Sequence, residues 1–170
     1  MPPVARQDVV LVTEDVWLSI LNMAPHVAAA PGVPSGGDSL VGVVQITGDW
    51  VGAVTVQVPW TLAVRLAAAM FAASDSVPTR DDQVDALGEI TNMIGGSLKG
   101  IVDGCCHLSL PAVIAGSGYE LCMPGGRTVH RVDFECDGEP FVVSVIATEV
   151  VHSSSTDGTQ EEARDSRVPV

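Results

Sequence analysis

The sequence predicts an α+β domain in which an antiparallel β-sheet built from hairpins packs against three helices. Two pairs of segments rich in β-branched residues flank the turn signals Gly48-Asp49 and Asp137-Gly138, and each pair is typical of a β-hairpin. Three other segments carry helix start and stop signals. Strands that arrive as hairpins, rather than alternating with helices, favour an antiparallel sheet over a doubly wound parallel one.

The first helix is expected to run from about Thr13 to Ala24. Thr13 is a suitable N-cap, and Pro25 cannot continue the helix. Apolar residues at helical spacing predict its buried stripe, which is Val16, Ile20, Leu21 and Ala24.

The second and third helices each follow a proline. Pro59 is placed to open the second helix. Thr79 and Asp82 have the spacing of a capping box, and the third helix is expected to reach about Asp103. After it, the apolar run H-L-S-L-P-A-V-I-A-G contains Pro111, which cannot donate to a β-ladder. This strand is therefore expected at a sheet edge or a bulge.

Composition separates a folded domain from a tail. Residues 1–152 are predicted to form one domain. Residues 153–170 contain many Ser, Asp and Glu and few large apolar side chains, which predicts a disordered acidic C-terminal tail.

The net charge of −13, with only 8 Lys and Arg, argues against nucleic acid as a partner, because phosphate-backbone binding depends on cationic side chains. Membrane insertion is not expected, because the longest apolar run is too short to span a bilayer. The N-terminus also lacks the apolar core of a signal peptide, which makes the cytoplasm the expected location.

The four cysteines are Cys105, Cys106, Cys122 and Cys136. We expect free, mostly buried thiols and no metal site. A metal or redox centre built on these residues with His107 and His130 is the least favoured reading, because no C-x-x-C pair is present. Adjacent cysteines in a strand would also point to opposite faces.

The third helix has two faces of different character. Steps of 100° per residue place five apolar residues on the face predicted to enter the core: Leu87, Ile90, Ile94, Leu98 and Ile101. The opposite face carries Asp85, Glu89, Asn92, Gly96, Lys99 and Asp103. Glu89 and Asn92 are three residues apart, so their side chains are expected to be neighbours.

Gly95 and Gly96 are unexpected within this helix, because each costs about 0.8–1.0 kcal/mol relative to alanine. Gly95 lies towards the flank of the core, where it can admit a neighbouring element. Gly96 lies on the exposed face, which indicates close approach by another surface.

The segment L-G-E-I-T-N-M-I-G-G-S-L-K-G, followed by L-S-L-P-A-V-I-A-G-S-G and the closing hairpin, resembles the CheX/CheC/FliY chemotaxis phosphatases. These proteins dephosphorylate CheY-like receiver domains of response regulators in two-component signalling. The resemblance covers roughly residues 10 to 150 and implies a CheC-like fold and a homodimer formed through the sheets. It also implies a single-site CheX-like member, because Ser19 occupies the place of the Glu that a second motif would need beside Asn22.

The resemblance implies that Glu89 and Asn92 are the catalytic residues of an aspartyl-phosphate phosphatase. Asn92 would orient the attacking water, and Glu89 would dock on the receiver lysine. Asp85, Gly96 and Lys99 are expected to contact the partner. The chain itself needs no cofactor, since the Mg²⁺ belongs to the phosphorylated receiver domain.

A non-catalytic module that binds a receiver domain or another signalling partner is the alternative, since a fold does not fix a function. The two hypotheses differ at Asn92: a binding module should tolerate its replacement by alanine, whereas a phosphatase should lose turnover and still dock.

Overall fold

The computed structural model describes residues 2–32, 38–71, 76–117 and 121–148. The predicted tail, residues 153–170, and the predicted end of the domain at residue 152 lie outside the described residues.

The described residues form one antiparallel sheet of seven strands, in the order β1-β6-β7-β3-β2-β4, with β5 also paired to β2. The strands are β1 (His26–Val27), β2 (Ser39–Gly48), β3 (Gly52–Pro59), β4 (Cys106–Leu108), β5 (Ala112–Gly116), β6 (Gly126–Cys136) and β7 (Glu139–Thr148). With three helices packed against this sheet, the predicted α+β class is confirmed.

Both predicted hairpins are confirmed. Strands β2 and β3 pair from Ser39↔Pro59 to Ile46↔Gly52. Strands β6 and β7 are joined by Asp137 and Gly138, with φ angles of 52° and 82°. Two successive positive φ values give the turn whose twist matches that of a hairpin, and Asp-Gly tolerates them at low cost.

Helix α1 spans Arg6–Val16 and continues as a π-helical turn, Trp17–Leu21. The predicted start at Thr13 is wrong, because Thr13 is buried inside the helix. The carboxylate of Asp8 accepts a hydrogen bond of 2.7 Å from the backbone N–H of Ala5, and this contact stabilises the true N-terminus.

The predicted buried stripe of this first helix is half right. Val16 and Leu21 are buried, whereas Ile20 is 38% exposed and Ala24 lies beyond the helix. The stripe fails because the wider π-helical turn changes the angular spacing of the side chains after Val16.

Helices α2 (Trp60–Met70) and α3 (Arg80–Ile101) begin where the prolines predict. The capping box of α3 is confirmed. The hydroxyl of Thr79 accepts from the backbone N–H of Asp82 at 3.2 Å, and the Asp82 carboxylate accepts from the backbone N–H of Thr79 at 2.7 Å. This long helix therefore has a well-fixed first turn.

The core between helices and sheet is organised around stacked aromatic rings. Trp17 and Phe141 stack with ring centroids 4.1 Å apart, and Phe134 stacks on Phe141 at 5.0 Å. Trp50 and Trp60 are partly buried against the same core. The three tryptophans are thus packing residues.

All four cysteines are free, but the expectation that most are buried is wrong. Only Cys136 is buried, while Cys105 and Cys122 are exposed and Cys106 is half-buried. Cys105 precedes an edge strand and Cys122 lies in the connection to β6, so neither has core atoms on all sides. Burial raises the pKa of the Cys136 thiol.

The described residues contain no cluster of His, Cys, Asp and Glu able to hold a metal ion. None of the helices within them is long and apolar enough to cross a membrane.

Candidate functional site

The inner face of α3 is seated on strand β2. Four of the five residues predicted to face the core are fully buried: Leu87, Ile90, Ile94 and Leu98. The fifth, Ile101, is 41% exposed, so its prediction is wrong. Ile101 is the last helical residue, and the next residue, Val102, is buried instead.

Two glycines allow α3 to approach β2 closely. A Cβ atom at Gly42 would overlap the side chain of Thr91, and one at Gly95 would overlap a methyl group of Val44. Thr91 is buried, and its hydroxyl donates to the Leu87 carbonyl at 2.7 Å. Gly95 therefore admits a neighbouring element, as predicted, and the contacts fix the rotation of the helix.

The outer face presents a carboxylate and a carboxamide together. Glu89 and Asp85 are exposed, and Asn92 is half-buried. Within the part of the chain that the structure describes, the side chains of these three residues make no hydrogen bond or ion pair. Their polar atoms are thus available to a ligand or partner.

Gly96 lies on this outer face and is half-buried. A Cβ atom there would lie 3.8 Å from Leu108, an ordinary van der Waals contact. Internal packing therefore does not require a glycine at this position. Lys99 is half-buried in the last turn of the helix, and Asp103 is exposed beyond its end.

A β-bulge lies beside this face of α3. Two residues of β2, Val44 and Gln45, stand opposite the three-residue segment 109–111, which is one residue too many for a regular ladder. The Ser109 N–H donates to the Gln45 carbonyl at 2.9 Å, and the Ser109 hydroxyl accepts from the Gln45 N–H at 2.9 Å. Pro111 thus lies at both a sheet edge and a bulge.

An open groove of about 360 Å³ runs between α3 and strand β5. Its walls are formed by Val84, Asp85, Gly88, Glu89, Pro111 and Val113. Leu110, at the centre of the bulge, is 89% exposed. Neither the groove nor the exposure of Leu110 is predicted by the sequence, although Pro111 within an apolar run indicates an irregularity here.

The segment S-I-L-N at 19–22 has a different geometry. The Ser19 hydroxyl donates to the Asp15 carbonyl at 2.7 Å. Asn22 has a φ of 52° and ends the π-helical turn in the left-handed conformation. Residues 19 and 22 therefore do not form a second outward-facing pair on a continuous helix.

Comparison with known proteins identifies the family. The family model described as Chemotaxis phosphatase CheX matches residues 40–135, more than half of the chain. The chain belongs to the CheX family. The resemblance drawn from the E-x-x-N helix is thereby confirmed, and the matched region contains Glu89, Asn92 and the bulge.

Solved structures share the fold of this CheX-family chain. A CheX from Desulfovibrio desulfuricans superposes with a TM-score of 0.64 and 23% identity, over 82% of this chain and 95% of that one. CheX in the CheX–CheY–BeF3–Mg²⁺ complex from Borrelia burgdorferi gives 0.59 and 16%, over 83% and 95%. FliY from Thermotoga maritima gives 0.55 and 16%, over 83% and 84%.

These similarities confirm the CheC-like fold. No match was found among curated proteins.

Proposed function

We propose that this CheX-family protein hydrolyses the aspartyl phosphate of a CheY-like receiver domain. The observation that carries the proposal is the Glu89–Asn92 pair, whose polar atoms have no partner within the described residues and face outward from a firmly seated helix. The family match supports it, as does the similar Borrelia burgdorferi protein, a CheX in complex with CheY, BeF3 and Mg²⁺.

The proposed reaction is attack of water on the phosphorus of the receiver's aspartyl phosphate. The oxygen of water bonds to phosphorus while the bond from phosphorus to the aspartate oxygen breaks. The aspartate leaves as a carboxylate, and inorganic phosphate carries away the protons of the water. The receiver contributes Mg²⁺ and a lysine that neutralise charge on the phosphoryl group, so no cofactor is assigned to this chain.

We assign to Asn92 the role of positioning the attacking water. The carbonyl oxygen of its carboxamide accepts a hydrogen bond from the water, which aligns the water oxygen with the phosphorus. Phosphoryl transfer depends mainly on such positioning and on electrostatic stabilisation. The half-buried side chain starts from a restrained position on α3, because Thr91 and Gly95 hold the adjacent turns against β2.

Glu89 is assigned the docking contact with the receiver lysine. The pairing of opposite charges across the interface fixes the register of the helix over the phosphorylated site. Asp85 and Lys99 are exposed or half-buried on the same side of α3 and are assigned to peripheral polar contacts. Gly96 leaves room for the receiver backbone.

The assembly we propose is a cytoplasmic homodimer paired through the sheets, as the resemblance implies, with chemotaxis as the signalling context. Sedimentation of the full chain at micromolar concentration tests the dimer. A monomer would contradict this assembly without bearing on the chemistry at Asn92.

Phosphate loss from a panel of Mg²⁺-bound, phosphorylated receiver domains tests the proposed reaction. Wild type should accelerate loss from at least one receiver, and Asn92→Ala should lower the turnover number about 100-fold, because the water is no longer positioned. Glu89→Ala should act mainly on KM and in a salt-dependent way. Ser97→Ala, an exposed position on the same helix, is the matched control and should behave as wild type.

The same experiment separates the phosphatase from the binding module. If a receiver binds wild type and Asn92→Ala equally but neither accelerates phosphate loss, the protein is a binding module. If no receiver binds, the assignment of a receiver as partner is wrong.

A further inference from the structure

The bulge of the edge strand projects an apolar side chain into solvent beside the Glu89–Asn92 pair. Leu110 is 89% exposed, more than the other exposed large apolar side chains of the described residues. Its backbone is nevertheless held in place, because Ser109 makes two hydrogen bonds with Gln45 and its hydroxyl donates to the Leu110 carbonyl at 2.8 Å. Bulges next to functional sites re-aim side chains in this way.

The neighbours of Leu110 place it next to the turn of α3 that carries Asn92. Pro111 lies 3.8 Å from the position of a Cβ atom at Gly88, and Leu108 lies 3.8 Å from that of a Cβ atom at Gly96. Asn92 is midway between the two glycines, one helical turn from each. Leu110, between Leu108 and Pro111, therefore flanks the same stretch of helix.

The adjoining groove has one acidic wall and one apolar wall. Asp85 and Glu89 make the α3 wall acidic, although Val84 and Gly88 also line it, while Pro111 and Val113 form the apolar wall on the edge strand. The two carboxylates are four residues apart on one helix and repel each other, and neither has a cationic partner within the described residues. A partner with a basic side chain next to an apolar one would satisfy both walls.

We propose that Leu110 and this groove form a second docking surface for the receiver domain, distinct from the contact of Glu89 with the receiver lysine. The inference rests on the proposed function. The surface is continuous with the Glu89–Asn92 pair, so a receiver seated over Asn92 also covers Leu110. This docking surface binds a receiver segment that places an aliphatic side chain against Leu110 and Pro111 and a Lys or Arg side chain beside Asp85.

Such a surface governs which receiver is accepted rather than the rate of the chemical step. Contact with Leu110 stabilises the bound receiver before and during hydrolysis to the same extent. Uniform binding of this kind changes KM and leaves kcat nearly unaffected. A receiver with a charged or bulky residue at the matching position would be rejected there.

The test is binding and turnover of the receiver that responds in the panel. Calorimetry with wild type, Leu110→Ser, Leu110→Met and Leu18→Ser measures affinity. Leu110→Ser should bind about tenfold more weakly, the loss expected when part of the burial of one leucine is removed. Its kcat/KM should fall by a similar factor through KM, whereas Leu110→Met should retain affinity. Leu18 is 58% exposed on the π-helical turn, and Leu18→Ser should match wild type.

Charge is tested separately with Asp85→Asn. The variant should bind the receiver more weakly than wild type at low salt, and the difference should shrink as salt rises. Equal affinity of wild type and Asp85→Asn for the receiver at every salt concentration would overturn the contact between Asp85 and a basic side chain of the receiver.

Leu110→Ser with wild-type affinity for a receiver that wild type dephosphorylates would overturn the docking surface and leave the proposed function intact. Failure of wild type to bind any receiver would overturn both the docking surface and the proposed function. The wild-type result alone therefore distinguishes a failure of the docking surface from a failure of the proposed function.

Discussion

The segments S-I-L-N (19–22) and E-I-T-N (89–92) have similar sequences but different structures. The first ends a helix: it forms a π-helical turn in which the Ser19 hydroxyl bonds back to the Asp15 carbonyl, and Asn22 adopts the left-handed conformation. Here the asparagine allows the backbone to leave the helix. Asn tolerates a positive φ better than most residues and is therefore common where helices end.

The second segment lies well inside a helix of 22 residues. Its third residue, Thr91, is buried against Gly42 of β2, and Gly95 brings the following turn against Val44. Asn92 is therefore held half-buried on an outward face. The packing of neighbouring residues therefore decides what a short motif can present to a partner. Of these two asparagines, the second alone has a continuous, anchored helix on both sides.

The largest effect that sharpens this comparison concerns the adjacent glycines of α3. Gly95→Ala should destabilise the protein by about 1–3 kcal/mol, because the new methyl group overlaps Val44. Gly96→Ala should stabilise it by about 0.8–1.0 kcal/mol, because alanine is the better helix former and its Cβ has room. Denaturant unfolding of both variants measures the difference.

The two glycines should also separate in function. Gly96→Ala should raise KM for the receiver although the protein is more stable, since the methyl group occupies space assigned to the receiver backbone. A Gly95→Ala protein more stable than wild type would show that α3 is not seated closely on β2.

A smaller effect tests the backbone role of Asn22. Asn22→Ala should cost about 1 kcal/mol of unfolding free energy, because an alanine in the left-handed region is strained. Asn22→Gly should stay within about 0.5 kcal/mol of wild type, because glycine adopts this φ freely. Chemical denaturation measures both values.

Turnover of the receiver should be unchanged in both Asn22 variants. This is the reverse of Asn92→Ala, which should lose turnover with little change in stability. Loss of turnover in Asn22→Gly would show that the asparagine at the helix end takes part in the reaction.

The sequence predicted α3 more accurately than α1, and the reason is physical. The capping box and the apolar period of α3 are local signals, and both survive in the structure. The start of α1 depends on Asp8 bonding back to an alanine N–H, and alanine carries no capping signal. The π-helical turn then shifts the buried stripe away from Ile20.

The geometry of the candidate site was predicted in part for a similar reason. The Glu89–Asn92 pair follows from helical spacing within one element. The exposure of Leu110 follows from how the edge strand pairs with β2, where three residues oppose two. Such a register depends on tertiary pairing and has no period in the sequence, although Pro111 indicated that the ladder would be interrupted.

The first turn of α3 carries a carboxylate whose ionisation is linked to folding. Hydrogen bonds from the backbone and the hydroxyl of Thr79 lower the pKa of Asp82 below its ordinary value of 3.8. The unfolded carboxylate therefore takes up its proton first as pH falls. The stability that Asp82 contributes is present above the unfolded pKa and is lost as pH falls through the folded pKa.

The melting temperature of wild type should accordingly fall more steeply with acidification below pH 3.8 than that of Asp82→Asn. Asp81→Asn removes a charge from the same turn and leaves the capping box intact, so its pH profile should follow wild type. Identical profiles for wild type and Asp82→Asn would show that the capping box carries no ionic component.

The smallest expected effect is none at all. Ser19→Glu creates an E-x-x-N motif at 19–22. The double variant with Asn92→Ala tests whether this motif alone is sufficient to form a site. We expect phosphate loss from the receiver to equal that of Asn92→Ala, because the left-handed backbone of Asn22 turns its side chain away from the helical position that a neighbour of residue 19 would need. A recovery of turnover would mean that the π-helical turn rewinds into a continuous α-helix when the hydrogen bond from the Ser19 hydroxyl to the Asp15 carbonyl is lost. The two segments would then differ through the side chain at residue 19 rather than through the packing around each segment.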